Sequence, residues 1–354
     1  MAHFLGIMTG TSLDGVDVAL LTDGRYRAHH SLPLPPALGA ELRALNQSGP
    51  DEIHRAAVAA DELARLAARA IAELLEREAL PPAAIAAVGY HGQTIRHRPD
   101  GRPPYTVQIQ DAALLAELSG ITVITDFRRR DVAAGGQGAP LAPLFQRAFF
   151  PQRPLAVVNI GGFANVSLLT AADARGWDSG PGNVLLDYWV QLHQRRPYDA
   201  GGAWARSGRL CPELLEVLLA DPYFQRPPPK STGRDDFHPR WLGARLASVP
   251  TTAPADVQRT LLELTATTIA TDLRRHSPGP HYCLMGGGAH NDFLRERLAA
   301  LLPGWEALPP PLPAEALEAA GFAWLAAQCL AGQPLELGPV TGGQRRILGA
   351  IYPA

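Results

Sequence analysis

Residues 4–21 read FLGIMTGTSLDGVDVALL, and this stretch decides the fold. An apolar run from Phe4 to Met8 meets a tip of small polar residues, TGTSLDG, before a second apolar run from Val16 to Leu21. Two apolar runs around turn-forming residues predict a strand, a tight connection and a strand. The layout returns where an apolar strand from Leu155 to Ile160 leads through the turn GGFAN into Val166 to Leu169. Any two hairpins share this much, so a common plan for the two halves is raised and not yet established.

Between the two hairpins, apolar residues at Ile53, Ala56, Ala60, Leu63, Ala67, Ile71 and Leu74 keep to one face of a long helix that Pro81 and Pro82 end. The strands IAAVGYH and YTVQI, the helix DAALLAELSG and the strand ITVITDF follow. Strands alternating with helices predict an α/β fold. RRRDVAAGGQGAP is charged, then glycine-rich and without a period, which makes it the expected crossing between two domains.

Composition narrows the function. A chain of 354 residues, 46% hydrophobic and 19% charged, has material for about two domains. Its 32 basic against 34 acidic residues leave a formal charge of −2, which argues against an electrostatically driven partner such as nucleic acid or a membrane surface. The expected partner is a small molecule. No apolar stretch approaches the ~18 residues of a membrane span, and the start lacks a basic leader. Cys211, Cys283 and Cys329 lie far apart and predict neither a disulfide framework nor a zinc cluster. A cytoplasmic protein is expected.

All but one of the 32 basic residues are arginine; the exception is Lys230, in PPPKST. A Walker A loop needs its lysine after a glycine-rich run, so this chemistry is excluded, and no GxGxxG occurs. Any nucleotide must be held differently. Three turns offer bare backbone N–H groups after apolar strands: Gly10-Thr11-Ser12-Leu13-Asp14-Gly15, Gly161-Gly162-Phe163-Ala164-Asn165, and Gly286-Gly287-Gly288-Ala289-His290-Asn291. Each alone reads as a tight turn. In the last, the glycines open a helix whose N-terminus suits a phosphate. Asp14 and Asp17 suit a hydrated Mg²⁺, although Asp-Gly is also common turn chemistry. Asp178, in the polar loop WDSGPGN, reads either as a helix cap or as a carboxylate held for proton transfer. Further polar clusters are Gly92-Gln93-Thr94, Asp126 with Arg128 to Arg130, and Lys230 to Arg234.

Taken in order, GIMTGTSLDGVD, GYHGQTIRHRP, TVQIQDAALLAELSGI, DFRRRDVAAGGQGAPL, VVNIGGFANVSLL, DSGPGNVLLD, KSTGR and MGGGAHN resemble the anhydro-N-acetylmuramic acid kinases, bacterial sugar kinases of the actin, Hsp70 and hexokinase superfamily. The resemblance runs over nearly the whole chain. It implies two ribonuclease-H-like, actin-like ATPase domains around an interdomain cleft: residues 1–130 with about 315–354, and 131–314, the latter carrying the catalytic Asp and the adenosine motif. By motif match, Gly10, Thr11, Ser12, Leu13, Asp14, Gly15, Val16 and Asp17 face the ATP phosphates. Gly161, Gly162, Asn165, Gly180, Gly286, Gly287, Gly288 and Asn291 complete the nucleotide site. Asp178 is the implied base, with Asp187 the weaker candidate. Gln93, Thr94, Asp126, Arg128 and Glu318 are the implied sugar-side residues, and Asp14 reaches Mg²⁺ through water. Ala319-Ala320-Gly321 after Glu318 departs from the family pattern and is expected to affect packing near the sugar.

The implied reaction consumes ATP and 1,6-anhydro-N-acetylmuramic acid in cell-wall peptidoglycan recycling: water opens the anhydro bridge and O6 takes the γ-phosphoryl group. A homodimer is implied as well. The rivals are another phosphotransferase of the superfamily and a nucleotide-gated regulatory protein without sugar chemistry.

Overall fold

The computed structural model describes every residue except Thr11, Ser12, Pro229 and Arg234. The chain divides into two compact units, Met1–Phe149 with Leu312–Ala354, and Phe150–Pro311.

The first unit is built on strands β1 (His3–Met8), β2 (Gly15–Thr22), β3 (Arg25–Pro33), β4 (Ile85–Tyr90) and β7 (Val123–Thr125). A separate ladder pairs β5 (Gln93–Arg98) with β6 (Tyr105–Ile109). The main sheet runs β3-β2-β1-β4-β7 and ends on the C-terminal strand Ala350–Tyr352. β1 is antiparallel to β2 and parallel to β4; β2 is antiparallel to β3 and β4 parallel to β7. Helix Glu52–Arg77 forms and buries Ala60, Leu63, Ala67, Ile71 and Leu74 in this unit's core, with Ala56 partly buried against it, but Ile53, expected on the same face, is exposed in the helix's first turn. The exposed polar strand β3 was not anticipated, because pairing with β2 rather than its own apolar pattern holds it.

Helix Leu317–Leu330 packs on β1 and β4, and its backbone meets theirs directly at Gly6 and Gly89. A Cβ on Gly6 would strike the Ala319 carbonyl, and one on Gly89 the Phe322 carbonyl. On the same helix, a Cβ on Gly321 would press into the Phe145 ring at 2.5 Å. Ala319 and Gly321 therefore lie on the helix's packing faces.

The glycine-rich segment after Arg128 does not act as a crossing in this division, which falls after Phe149. Its first part is the helix Phe127–Ala133, whose buried Asp131 accepts hydrogen bonds from Thr341 Oγ1 (2.7 Å) and Gly138 N (2.6 Å). Those bonds tie the segment to the C-terminal part of its own unit. Likewise the return into this unit begins at Leu312 rather than near residue 315.

The second unit repeats the order. Strands β8 (Leu155–Ile160), β9 (Phe163–Leu169), β10 (Ala174–Pro181), β11 (His281–Met285) and β12 (Glu306–Ala307) run β10-β9-β8-β11-β12. β8 is antiparallel to β9 and parallel to β11, β9 antiparallel to β10, and β11 parallel to β12. This is the five-strand plan of the first unit, strand for strand. Helix Pro254–His276 supplies the buried face, with Leu261, Leu262, Ile269 and Leu273 in the core. Among the described residues no helix is long and apolar enough to cross a membrane.

Gly6→Ala tests the backbone contact in the first unit. Overpacking of this kind costs about 1–3 kcal/mol, so the variant is expected to lower the urea midpoint with an unchanged m-value; a wild-type midpoint would show that the helix shifts aside freely.

Candidate active site

Equivalent strand ends carry the functional loops in both units. In the second unit the register places Asn159 of β8 opposite Asn165 of β9, and Asn165 opposite Asp178 of β10. Paired residues share a sheet face, so three half-buried polar side chains form one row. Asn165 and Asp178 were expected in turns; both lie in strands. The reason is that β9 resumes at Phe163 immediately after Gly161-Gly162, and β10 is held by pairing despite Gly176, Asp178, Gly180 and Pro181, all poor strand formers. The pairing register shifts between Asp178 and Gly180 as the chain turns towards helix Val184–Gln194. Asn159 is a member of the row that sequence reasoning missed, although its strand was recognised.

Backbone weaves the loops together. Gly182 N and Val184 N donate to Gly162 O at 2.9 and 3.0 Å, and Asn183 N to Gly161 O at 2.8 Å. Thr265 Oγ1, buried on the long helix, donates to the carbonyls of Pro181 and Gly182, both at 3.0 Å. A Cβ on Gly286 would lie 2.5 Å from Asn159 Oδ1, and one on Gly288 would enter Ile160. These two glycines are demanded by close approach to β8. Gly162 and Gly287 are different: an added Cβ would meet nothing nearer than 3.9 and 3.8 Å respectively. The fold itself does not require glycine there, so their bare backbone is free to serve a ligand. Asn291 caps helix Asp292–Leu301, its Oδ1 accepting from Leu294 N at 3.0 Å.

Asp178 is half-buried, and burial raises its carboxyl above the ordinary carboxylate value, opposed by the Thr232 amide and the Lys230 charge. Thr232 N donates to Asp178 Oδ2 at 3.0 Å. Asp187 lies in the first turn of helix Val184–Gln194, where burial pushes its carboxyl up to about 6. Lys230 is interior and ion-paired with Asp272.

In the first unit, Leu13 takes a left-handed φ of 56° and its N–H closes a turn onto Gly10 O at 3.2 Å. Thr11 and Ser12, expected to face phosphate, lie outside the described residues. Thr9 beside them is buried, with its Oγ1 without a hydrogen-bond partner among the described residues. Asp14 is exposed; Val16 and Asp17 stand in β2, where Asp17 accepts from Ser31 Oγ. Burial raises the Asp17 carboxyl, with the Ser31 hydrogen bond opposing. Gln93 and Thr94 open β5; the Gln93 Oε1 is buried without a hydrogen-bond partner among the described residues, and Thr94 Oγ1 accepts from Gln108 Nε2 at 3.1 Å. Asp126 holds a left-handed φ of 59° at the start of its helix.

Arg128 organises this unit's polar groups. Its Nε donates to His91 Nε2 at 2.8 Å and its Nη1 to Gly138 O at 2.9 Å. Arginine only donates, so His91 Nε2 is an acceptor and its proton sits on Nδ1, directed at Gly92 O. Burial, and then the Arg128 charge, hold the His91 imidazole well below its ordinary 6.5. Glu318 stays water-accessible, yet surrounding protein raises its carboxyl; Arg128 opposes this and Asp17 adds to it. Asp17, Arg128 and Glu318 therefore share one electrostatic neighbourhood. His91 was visible only as part of the HGQT motif, and its role as an acceptor for Arg128 carries no sequence signal.

The doubled sheet order and its glycine turns define a two-unit α/β protein of the actin-like ATPase fold. The crystal structure of component A of (R)-2-hydroxyglutaryl-CoA dehydratase from Acidaminococcus fermentans has a similar fold, with a TM-score of 0.50, 15% identity, and 91% of this chain and 96% of that one covered. The profile of the anhydro-N-acetylmuramic acid kinase family matches residues 2–354, and the chain belongs to that family. Relatives bearing this family name include one from Variovorax paradoxus, 53% identical over 371 residues with 99% of each chain covered. One from Pseudomonas putida is 50% identical over 365 residues with 100% of each covered.

Because the folded state keeps His91 neutral while the unfolded chain takes up its proton below about pH 6.5, this group costs stability as pH falls, by up to about 1.4 kcal/mol per unit. The raised carboxyls of Asp17, Asp178 and Glu318 act in the opposite sense. Comparing denaturation of His91→Gln with the native chain isolates the histidine: the variant is expected to lose less stability between pH 7 and 5, and parallel curves would contradict a buried neutral imidazole.

Proposed function

We propose that the protein is an ATP-dependent kinase of 1,6-anhydro-N-acetylmuramic acid. Water adds at C1, the C1–O6 bond of the internal bridge breaks, and O6 receives the γ-phosphoryl group, giving N-acetylmuramic acid 6-phosphate and ADP. The observation that carries this reading is the anchored Asp178 carboxylate in a member of this family: Oδ2 is occupied by the Thr232 amide, which leaves Oδ1 to take the water proton. An ordinary aspartate is a weak base, and partial burial strengthens this one. Proton removal accompanies cleavage of the C1–O6 bond, whose oxygen carries the negative charge to phosphorus.

In the second unit, the bare backbone of Gly162 and Gly287 suits phosphate and adenosine, with Gly161, Gly180, Gly286 and Gly288 shaping the loops. Asn165 and Asn291 belong to this nucleotide side. In the first unit, Gly10 to Asp17 faces phosphate, while Gln93, Thr94, Asp126, Arg128 and Glu318 hold the sugar. The guanidinium of Arg128, fixed by His91 and Gly138, suits a carboxylate such as the lactyl group. Mg²⁺, when bound, offsets phosphate charge; Asp14 would hold it through water. Mg²⁺ keeps several waters and is typically held through one or two carboxylates with substrate phosphates. The same reading includes a cytoplasmic homodimer acting in cell-wall recycling, supported by the family resemblance and checked by light scattering of the purified protein.

Asp178→Asn is expected to bind both substrates and lose about 10²–10⁴-fold in kcat. Near-native turnover would pass the role to Asp187. Run in ¹⁸O-water with rapid trapping by reduction, the reaction should label the C1 oxygen and leave O6 unlabelled; unlabelled C1 would eliminate water activation. ADP release that ignores the anhydro-sugar would instead favour a regulatory ATPase. Gly287→Ala is expected to fold normally and raise the KM for ATP about tenfold or more, since one methyl blocks close backbone approach. An unchanged KM would remove that loop from the nucleotide site.

A further inference from the structure

The chain's sole lysine is sealed inside the second unit. Lys230 Nζ stands 3.5 Å from both oxygens of Asp272, and the two side chains are 3% and 5% exposed. Asp272 Oδ2 also accepts from Trp177 Nε1 at 3.0 Å, and the ammonium lies 5.1 Å above the Tyr223 ring. A buried ion pair is weak support for stability, because apolar residues of similar volume often serve as well or better. Its connections point elsewhere. Lys230 O accepts from Asp178 N at 3.0 Å, Thr232 N donates to Asp178 Oδ2 at 3.0 Å, and Tyr223 OH donates to Asp178 O at 2.7 Å. Trp177, which precedes Asp178 on β10, is itself held by Asp272.

We infer that Lys230, through its buried ion pair with Asp272 and its place over Tyr223, is a positioning residue that fixes Asp178 for the reaction. The inference rests on the reading of Asp178 as the base. The pair anchors residues 230–232, and that segment grips Asp178 by its amide and by one carboxylate oxygen. Arginine fills every other basic position. A compact ammonium fits between two carboxylate oxygens and a phenol ring in a sealed space, whereas a planar guanidinium has a different shape and five donors to satisfy. Lys230 also bears a positive charge that favours the ionised form of Asp178. The other titratable groups around this network are Tyr223, Arg226, Asp236, Asp272 and His276.

The test combines Lys230→Met with Asp272→Asn, which removes both charges together and keeps an acceptor for Trp177 Nε1. With circular dichroism and ATP affinity as folding controls, kcat should fall about tenfold or more while both KM values stay within about twofold. The acid limb of kcat/KM should move to higher pH, because of the two charges removed it is Lys230, rather than Asp272, that bears on the Asp178 carboxyl. Native kcat and an unmoved limb would overturn the inference. Should the double variant fail to fold, Tyr223→Phe removes the bond to the Asp178 carbonyl without altering charge: a several-fold lower kcat with an unmoved limb supports the anchoring, and native kcat overturns it. Asp178→Asn run alongside separates the two claims. Full turnover in that variant defeats the base itself, whereas an inactive Asp178→Asn beside an unaffected Lys230 variant defeats only the positioning.

Discussion

Backbone laid directly on backbone is the constraint from which both units follow. Gly6 and Gly89 let helix Leu317–Leu330 settle onto the two central strands of the first sheet, and Gly286 and Gly288 let the end of β11 close onto β8 in the second. At each of these positions a methyl group would meet a carbonyl or a packed side chain, and a close-packed interior cannot absorb it cheaply. The consequence reaches the loops. Because parallel neighbours such as β1 with β4, and β8 with β11, are drawn together at their carboxyl ends, the turns leaving them emerge side by side. Open α/β sheets bind ligands at such strand ends.

The second unit adds a polar construction to this frame. Asp178 sits on a strand, which gives it less freedom than a loop would, and its main chain is held by partners on both sides. Strand pairing and the Thr232 amide fix the direction of the Asp178 carboxylate, and partial burial raises its proton affinity. In the first unit Arg128 is treated similarly: a neutral histidine accepts from its Nε and a carbonyl from its Nη1, which fixes the plane of the guanidinium.

Much of this was legible in the sequence where a single physical signal dominated. The two hairpins showed as apolar runs around small residues, and helix Glu52–Arg77 as a run of apolar residues at helical spacing. Elements held by tertiary pairing were not legible. β10 is written ARGWDSGP, a string with almost no strand propensity, and β3 is polar along much of its length. The segment after Arg128 looked like a connector because nothing local reveals that Asp131 is buried and bonded to Thr341, 210 positions away. The same holds for Lys230, whose burial against Asp272 has no signal in its proline-flanked polar surroundings. The candidate site residues rest on motif resemblance; Asn159, His91, Tyr223 and Asp272, which contact or neighbour them, leave no spacing to read.

One feature of the cation inventory shapes how the molecule meets its surroundings. With its only ε-amine interior, the positive charge on the protein's surface is carried by guanidinium groups and histidines. Lysine-rich surfaces shed charge as pH climbs past about 10, while guanidinium does not. The outward electrostatic character of this protein should thus persist into strongly alkaline solution. Acylating reagents and metabolites that modify lysine find no accessible side chain to attack, so acylation of a lysine side chain can act here only by first opening the second unit.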